Sequence, residues 1–449
     1  MSGPARDARG ARGGALSSAP DSLRLNGRSH GLWEKSAPAA PATCGLRGDI
    51  RVDVAVIGAG YTGLSAALHL AERHVSVAVL EAAEVGFGGS GRNVGLVNAG
   101  LWVMPEVVVR RLGRTYGPRL LDRLAEAPAR VFELIARYGI ACEPVRSGTL
   151  HCAVGGSGLE QLEERAAQWS ALHAPVELLG PEQTARRTGS KMFCGALFDA
   201  RAGTVQPLAY ARGLARAALA NGAALFTDSA VLGAQRDEDR WVLRTSCGSA
   251  RADWVVVATD AYAEGPWRIA REEQVHLPYF NLATTPLEES LRNSILPGGE
   301  GAWDTRKVLS SFRLDAAGRL IFGSVGALRA GGADVHRQWA RRALGKMFPQ
   351  LGRAEFEHGW YGHIGMTADS LPRFHAYAPR VIGFSGYNGR GIAPGTAFGA
   401  ILADLVLGKT QLSELPLPVT EPQAARFRGL REGLYRAGSK ALHWARDRF

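Results

Sequence analysis

At 449 residues, with 46% hydrophobic and 21% charged positions, the chain is long enough to bury at least two cores and lacks the composition of a disordered protein. Its net charge of +11 brings nucleic acid and membrane surfaces into question, but much of the excess sits in the termini, and aromatics do not alternate with the basic residues as an RNA-binding surface requires. The five cysteines, Cys44, Cys142, Cys152, Cys194 and Cys247, are scattered, without a CxxC pair or a neighbouring His set at metal spacing, which favours a reducing cytoplasm and no structural metal.

Residues 1–30 are rich in Arg, Gly, Ala, Ser and Pro with no apolar run, and read as a disordered basic arm or a start-site artefact rather than a secretory signal. From Asp53 the chain runs DVAVIGAGYTGLSAALHLAERHVSVAVLE: a strand (Val54, Val56, Ile57), a Gly-rich turn, an Ala/Leu-rich helix and a second strand ending in an acid. This is a βαβ dinucleotide-binding unit. Gly58 makes the turn, Gly60 lets backbone approach a pyrophosphate, and Gly63 lets helix and strand pack closely. Tyr61 and Thr62 open the helix, whose free N–H groups face the phosphates. Glu81 is placed on a ribose, where an acid disfavours a 2'-phosphate and so NADP. Val54–Ala71 carries no charged residue, yet its glycines and Tyr61-Thr62 interrupt it as a membrane span.

The fingerprint alone does not choose between NAD and FAD. The next segment, Ala82–Gly100 (AAEVGFGGSGRNVGLVNAG), is a second Gly-rich loop where an NAD enzyme continues with further βα units, and this points to flavin architecture. Helical patterns follow at Val107–Leu112 and Leu120–Tyr138, a strand near Thr149–Val154 and a helix near Leu159–Leu172. Gly203–Phe226 reads as turn, helix and strand start, and Ala252–Tyr262 as a buried strand ending in a small-residue turn. Val275–Thr285 alternates as a strand, Val308–Leu314 and Arg319–Val325 form a hairpin about Asp315–Gly318, and Val335–Met347 is a helix. Arg380–Lys409 repeats the strand, Gly loop, helix theme, with a strand over Val381–Ser385 and a helix from Thr396 to Leu407. In residues 421–449, Phe427, Leu430, Leu434, Ala437 and Ala441 recur at helical spacing among Arg426, Arg428, Arg431, Arg436 and Lys440. Such a basic amphipathic helix either packs on its own domain, the favoured reading, or lies on an anionic membrane as a peripheral contact.

The loop GGSGRNVG resembles the one that lies along the pyrophosphate and flavin ring in the D-amino-acid oxidase/glycine oxidase family of flavoenzymes. The resemblance covers roughly residues 31–449 and implies FAD as cofactor, with Ser90, Gly91, Arg92, Asn93 and Gly95 against it or over its ring. It implies that a strand at Ser229–Val231 passes the adenine, with Val231 offering backbone bonds, and that Ala258 and Thr259 close over the cofactor. It also brings the loop with Gly389, Arg390 and Gly391 to the ring, with a helix start near Thr396 stabilising the negative charge of reduced flavin. Ala82–Gly100 has no His or Cys and the chain beyond Cys247 no Cys, so the expected FAD is non-covalent.

The implied fold is α/β (α+β overall): a Rossmann-like FAD-binding domain (residues 31–100, 201–265 and 355–420) carrying an inserted mixed-sheet substrate domain (101–200 and 266–354), with 421–449 a terminal helix. GSGRN followed by GLVNAG, with RLIFGSVGALR, HGWYGHIGMTADSLPRF and GYNGRG, resembles the branch of bacterial gamma-glutamylputrescine oxidases and L-pipecolate oxidases, the latter slightly favoured. This implies oxidation of an amine or amino-acid C–N bond by hydride transfer to flavin, with oxygen or another acceptor reoxidising it. The alternatives are a D-amino-acid or sarcosine-type dehydrogenase feeding a quinone, or a flavin-binding protein without turnover. Pocket candidates are Tyr279, Trp360, Tyr361 and His363, with His363 a candidate acceptor of the amine proton. Arg92 or Arg390 is a candidate carboxylate clamp; Arg390 is alternatively a charge stabiliser for the flavin or a solvated loop residue.

Overall fold

The structure, a computed structural model, describes residues 29–328 and 332–445. Two sheets organise it. In the first, Ala224–Phe226, Val77–Leu80, Gly48–Ile57, Gly248–Val257 and Val381–Ser385 run parallel in that order. Arg373–Ala378 joins antiparallel beyond Val381–Ser385, and Val419–Thr420 forms the edge. Period-two alternation decides which core each residue enters. Val54 and Val56 meet the helices Tyr61–Ala71, Pro207–Ala220 and Ile392–Val406, whereas Ala55 and Ile57 face the opposite core with Leu243, Trp267 and Val381. Both faces of the central strand are thus covered, which is why it reads as an unbroken apolar run.

The second sheet has the order Phe356–Met366, Val275–Pro286, Arg319–Val325, Ser310–Leu314, Gly301–Asp304, Thr149–Ala153, Gly195–Asp199, Val176–Leu179. It is mixed, because Gly301–Asp304 and Thr149–Ala153 pair parallel while their neighbours are antiparallel. Phe280, Phe312 and Phe322 on its outer face bury against Trp339, Leu344 and Met347 of the helix Gly332–Met347.

Several boundaries differ from the sequence expectation. Phe356–Met366 pairs with Val275–Pro286, so the stretch from residue 355 belongs first to the substrate sheet, and the nucleotide sheet resumes only at Arg373. The two helical patterns after residue 100 are one helix, Pro105–Tyr138, kinked at Gly113 (φ 74°); its Leu120, Leu124 and Val131 enter the nucleotide-side core, not the substrate layer. Ser229–Val231 is a connection rather than a strand, since Asp228 at φ 47° turns the chain out of Ala224–Phe226. The expectation for residues 1–30 lies almost wholly outside the described residues.

The last helix, Arg428–Ala445, packs on its own domain, as the favoured expectation has it, but through the face opposite its apolar stripe. It docks through Glu432, Ser439 and His443, while Leu430, Leu434, Ala437 and Ala441, with Phe427 just ahead of them, are exposed. Its docking surface accounts for this: His276 N donates to Glu432 Oε1 (3.1 Å), His443 stacks on Trp339 with ring centroids 3.7 Å apart, and His336 and His443 share a 2.8 Å Nδ1 contact. Those partners suit polar and planar groups, not a leucine stripe.

Candidate active site between the two sheets

A cavity of about 610 Å³ opens where the carboxyl ends of the parallel strands meet the inner face of the second sheet, the place where open α/β sheets bind ligands. Its nucleotide-side wall holds Gly58, Gly60, Tyr61, Thr62, Glu81, Ser90, Arg92, Asn93, Val231, Ala258, Thr259, Gly389 and Gly391, all residues singled out from sequence.

The wall is built by close approach of backbone. Gly58 sits at φ 104°, and a Cβ there would lie 2.8 Å from Ala258 O. A Cβ on Gly63 would lie 2.0 Å from Gly58 O, so this glycine seats the helix Tyr61–Ala71 on the turn without itself reaching the cavity. The helix N-terminus faces the space: Tyr61 N donates to Ser90 Oγ (3.1 Å), and the other first-turn amides have no intrahelical acceptor. Glu81 accepts from Ala59 N (2.7 Å) and Ala83 N (3.0 Å). Burial raises its pKa, opposed by the amides of Ala59, Ala83 and Ala82. Asn93 ties the second Gly loop together, donating to Gly89 O and to Tyr61 Oη and accepting from Gly95 N. An amide-lined crevice, a helix N-terminus and a carboxylate at the second strand's end are the donor and acceptor set that a dinucleotide's pyrophosphate and ribose need, so the residues present fit FAD.

The opposite wall carries side chains from separate strands. Leu277 and Tyr279 project from Val275–Pro286, Trp303 from Gly301–Asp304, Ser311 from Ser310–Leu314, Val325 from Arg319–Val325, and His363 from Phe356–Met366. Tyr279 Oη and Ser311 Oγ are 2.6 Å apart, and burial raises the phenol's pKa. His363 N donates to Tyr262 Oη (2.9 Å), and its ring lies 5.9 Å from His276, whose pKa is pushed down to about 3 by burial and then by His363. Trp303 stacks on buried His151 with centroids 5.0 Å apart. Exposed Lys307 stands on the lining.

Other sequence candidates lie off the wall. Trp360 donates to Arg92 O (3.1 Å) and packs edge-on against Trp33, in a small core with Leu32 and Ile321. It braces the Arg92 backbone instead of lining the pocket. Arg390, 8% exposed, donates to Ala99 O (2.9 Å) and lies 4.5 Å over Trp102 and 5.3 Å over Trp303; burial, then Arg165, lowers its pKa to about 9. It is neither solvated nor on the cavity lining, and it backs the indoles of Trp102 and Trp303. Arg92 lines the cavity, with its guanidinium bonded to Phe87 O and 4.3 Å over the Phe87 ring. Gly91 and Gly95 serve packing, against Gly86 O and Val205 O. Thr396 lies in the second turn of a helix that starts at Ile392, its hydroxyl bonded to Ile392 O (2.8 Å), so Gly391 and Ile392 bring the helix start to the cavity.

Sequence reading missed Asn98, Trp102, Asp260, Tyr262, Trp303, Lys307, Ser311 and Tyr387 on the lining. Asp260 follows the Ala258-Thr259 turn and accepts from Gly386 N (2.7 Å) and Gln274 Nε2 (3.1 Å); burial raises its pKa. Tyr387 sits inside GYNGRG and shares a 2.6 Å bond with Thr62 Oγ1. These two were adjacent to recognised motifs, whereas Trp303, Lys307 and Ser311 have no local signal. Away from the lining, His30 Nδ1 comes within 3.2 Å of Glu34 and 3.7 Å of Glu84. Arg212 holds the other oxygen of Glu34 at 2.6 Å, and burial with Arg92 pushes His30 down to about 4, so the group is a hydrogen-bonded neutral imidazole.

Fold and cavity together define a flavoenzyme of the two-domain oxidoreductase kind. The FAD-dependent oxidoreductase family model, DAO, matches residues 53–405, and the chain belongs to that family. Among its relatives, a probable oxidoreductase OrdL of Rhizobium meliloti is 30% identical over 93% of this chain and 97% of its own. The gamma-glutamylputrescine oxidoreductase of Escherichia coli is 33% identical over 82% of this chain and 86% of its own. In structure the chain resembles glycine oxidase from Geobacillus kaustophilus (TM-score 0.65, 23% identity, 80% of this chain and 96% of that one) and L-proline dehydrogenase from P. horikoshii (TM-score 0.67, 18% identity, 82% and 95%). The chain is thus an FAD-dependent oxidoreductase. Among the described residues no helix is long and apolar enough to cross a membrane.

Proposed function

We propose that the chain oxidises the C–N bond of an amine, with a linear substrate of the gamma-glutamylputrescine kind ahead of L-pipecolate. The observation that carries this order is the placement of cations on the described lining. Arg390 is withdrawn behind Trp102 and Trp303, Arg92 is engaged by Phe87, and Lys307 alone stands exposed. An alpha-amino acid brings its carboxylate next to the reacting carbon, where a bidentate clamp is wanted. A terminal amine with a remote carboxylate instead suits a cation at the rim.

FAD, held non-covalently by the glycine turn, Ser90, Glu81 and the Gly389–Gly391 loop, supplies the hydride acceptor for the carbon next to nitrogen. The residues of this chain do the rest. Tyr279, Trp303, Trp102 and Tyr387 form an aromatic slot that excludes water and orients the alpha carbon. The amine must be neutral to give up hydride, and His363 on the lining accepts its proton. Lys307 pairs the distal carboxylate and fixes how deep the amine reaches. The relative from Escherichia coli supports amine chemistry of this sort, and the unpaired cysteines accord with a cytoplasmic setting.

The test is the visible spectrum of the purified protein followed by anaerobic addition of gamma-glutamylputrescine, L-pipecolate and D-amino acids. Gamma-glutamylputrescine bleaches the flavin fastest. Lys307→Met raises its KM roughly fivefold, the worth of one exposed ion pair, and leaves putrescine unchanged. Rapid bleaching by L-pipecolate with no effect of Lys307→Met overturns the assignment. A quinone acceptor in place of oxygen is favoured by the exposed apolar face of the last helix; oxygen uptake against dye reduction separates the two.

A further inference from the structure

The terminal helix is built inside out. Along Arg428–Ala445, Glu432, Ser439 and His443 face the protein, spaced seven and four residues apart on one helical face. On the opposite face, Phe427 (75% exposed), Leu430 (66%), Leu434 (63%) and Trp444 (53%) form a continuous stripe with exposed Ala437 and Ala441. A soluble helix ordinarily shows the reverse arrangement, and an exposed apolar stripe of this length marks an interaction surface.

The charges around the stripe identify its partner. Between Ala424 and Ala445 the cations are Arg426, Arg428, Arg431, Arg436 and Lys440, and the one acid, Glu432, accepts from His276 N and pairs with Arg428 (3.1 Å), which leaves the other four without an acid on this helix. A second copy of this helix would set Arg431 and Lys440, which border the stripe, against their own like charges, with Gly433 and Gly438 as the other bordering residues; that is a poor seam for self-association. Residues 1–28 carry Arg6, Arg9, Arg12, Arg24 and Arg28 against Asp7 and Asp21, and so are no better complement. An apolar face bordered by Arg431 and Lys440, with the amphipathic Trp444 at its end, matches the boundary between acyl chains and anionic headgroups, where long basic side chains reach up to phosphates. We propose that the helix Arg428–Ala445 docks the enzyme on an anionic lipid surface, lying in the plane of the interface with Phe427, Leu430, Leu434 and Trp444 inserted. The docked face lies on the far side of the helix from His276, which neighbours His363 of the cavity. Docking therefore leaves the cavity wall undisturbed.

The measurement is cosedimentation of the full-length, flavin-loaded protein with vesicles of phosphatidylcholine alone and of phosphatidylcholine with 30 mol% phosphatidylglycerol, about one third anionic lipid. Binding is expected to the anionic vesicles, at least about tenfold tighter than to neutral ones, and to weaken at high salt. Leu430→Glu/Leu434→Glu abolishes it while flavin content and melting temperature stay as in the parent, since both side chains are exposed. The proposal is overturned if the parent remains in the supernatant with anionic vesicles, or if the double variant binds as well as the parent. It is equally overturned if light scattering shows a dimer that the double variant dissolves and no lipid binding. None of these readouts uses amine oxidation, so they stand or fall apart from the substrate assignment.

Discussion

On its nucleotide side the cavity wall is mostly backbone, set by glycines at Gly58 and Gly60 and by a helix start at Tyr61. On its substrate side the wall is side chains, Tyr279, Trp303, Ser311 and His363, delivered by four different strands of the second sheet. A backbone wall tolerates almost no added atoms but asks little of side-chain identity. A side-chain wall can be rewritten residue by residue while the sheet beneath it stays. The family can therefore keep one cofactor and change substrates.

The sharpest way to break this contrast is to add one carbon on the nucleotide side. Gly63→Ala puts a Cβ 2.0 Å from Gly58 O, a backbone atom that has no rotamer to relieve the clash. The helix must move off the turn, at a cost of about 3 kcal/mol and with loss of its alignment on the pyrophosphate. The expected protein is colourless or weakly yellow, with the ratio of flavin to protein absorbance falling severalfold and a lower melting temperature. Gly156→Ala, with nothing within 4 Å of its Cβ, is the control and changes neither. An unchanged flavin ratio in Gly63→Ala would show that the turn has slack the geometry denies.

Acid adds a second contrast, between the buried carboxylates on the nucleotide-side wall and the buried histidines behind the substrate-side wall. Glu81 and Asp260 on the nucleotide-side wall have pKa values raised by burial, so the folded state binds their protons more readily than the unfolded one and these two groups do not weaken it as pH falls. The substrate layer holds His276, lowered to about 3, and His336, lowered to about 4, both chiefly by burial. Their stability contribution is complete above 6.5, the ordinary histidine value, and is lost as pH falls from there toward the folded values, at most about 5 kcal/mol for His276 and about 3 kcal/mol for His336. The melting temperature is therefore expected to drop between pH 7.5 and 5. His276→Phe, which keeps the backbone bond to Glu432, should flatten that slope. Equal slopes in both proteins would place the acid sensitivity elsewhere.

What was legible in the sequence follows the same division. The βαβ unit at Asp53–Glu81 and the GSGRN loop announce themselves because their geometry is local: a glycine is needed within a few residues of the strand it turns from. Trp303 and Lys307 carry no such mark, since they reach the cavity only because Gly301–Asp304 pairs parallel with Thr149–Ala153, some 150 positions away in sequence. The terminal helix shows the limit of periodicity. Spacing identified the apolar face correctly, but which face turns inward was decided by His276, His336 and Trp339 on other elements. Arg390 stood open between a flavin or carboxylate contact and a solvated loop residue for a related reason: sequence does not show that the indoles of Trp102 and Trp303 are brought over its guanidinium.

The smallest expected effect tests whether the side-chain wall works as a connected surface. Tyr279 and Ser311 come from strands separated by Arg319–Val325, and their 2.6 Å hydroxyl contact spans that strand across the floor of the slot. Tyr279→Phe removes one hydrogen bond between partly buried neutral groups, worth about 1 kcal/mol, so kcat/KM should fall roughly fivefold with the flavin ratio unchanged. Ser311→Ala should do about the same, and the double variant should do no worse than either alone, because both delete one bond. Burial raises the Tyr279 pKa above its ordinary value, so the phenol stays protonated in the neutral range and its loss should shift no inflection in the pH profile. A vanished inflection in Tyr279→Phe would instead mean that this phenol, and not the His363 imidazole, handles the amine proton.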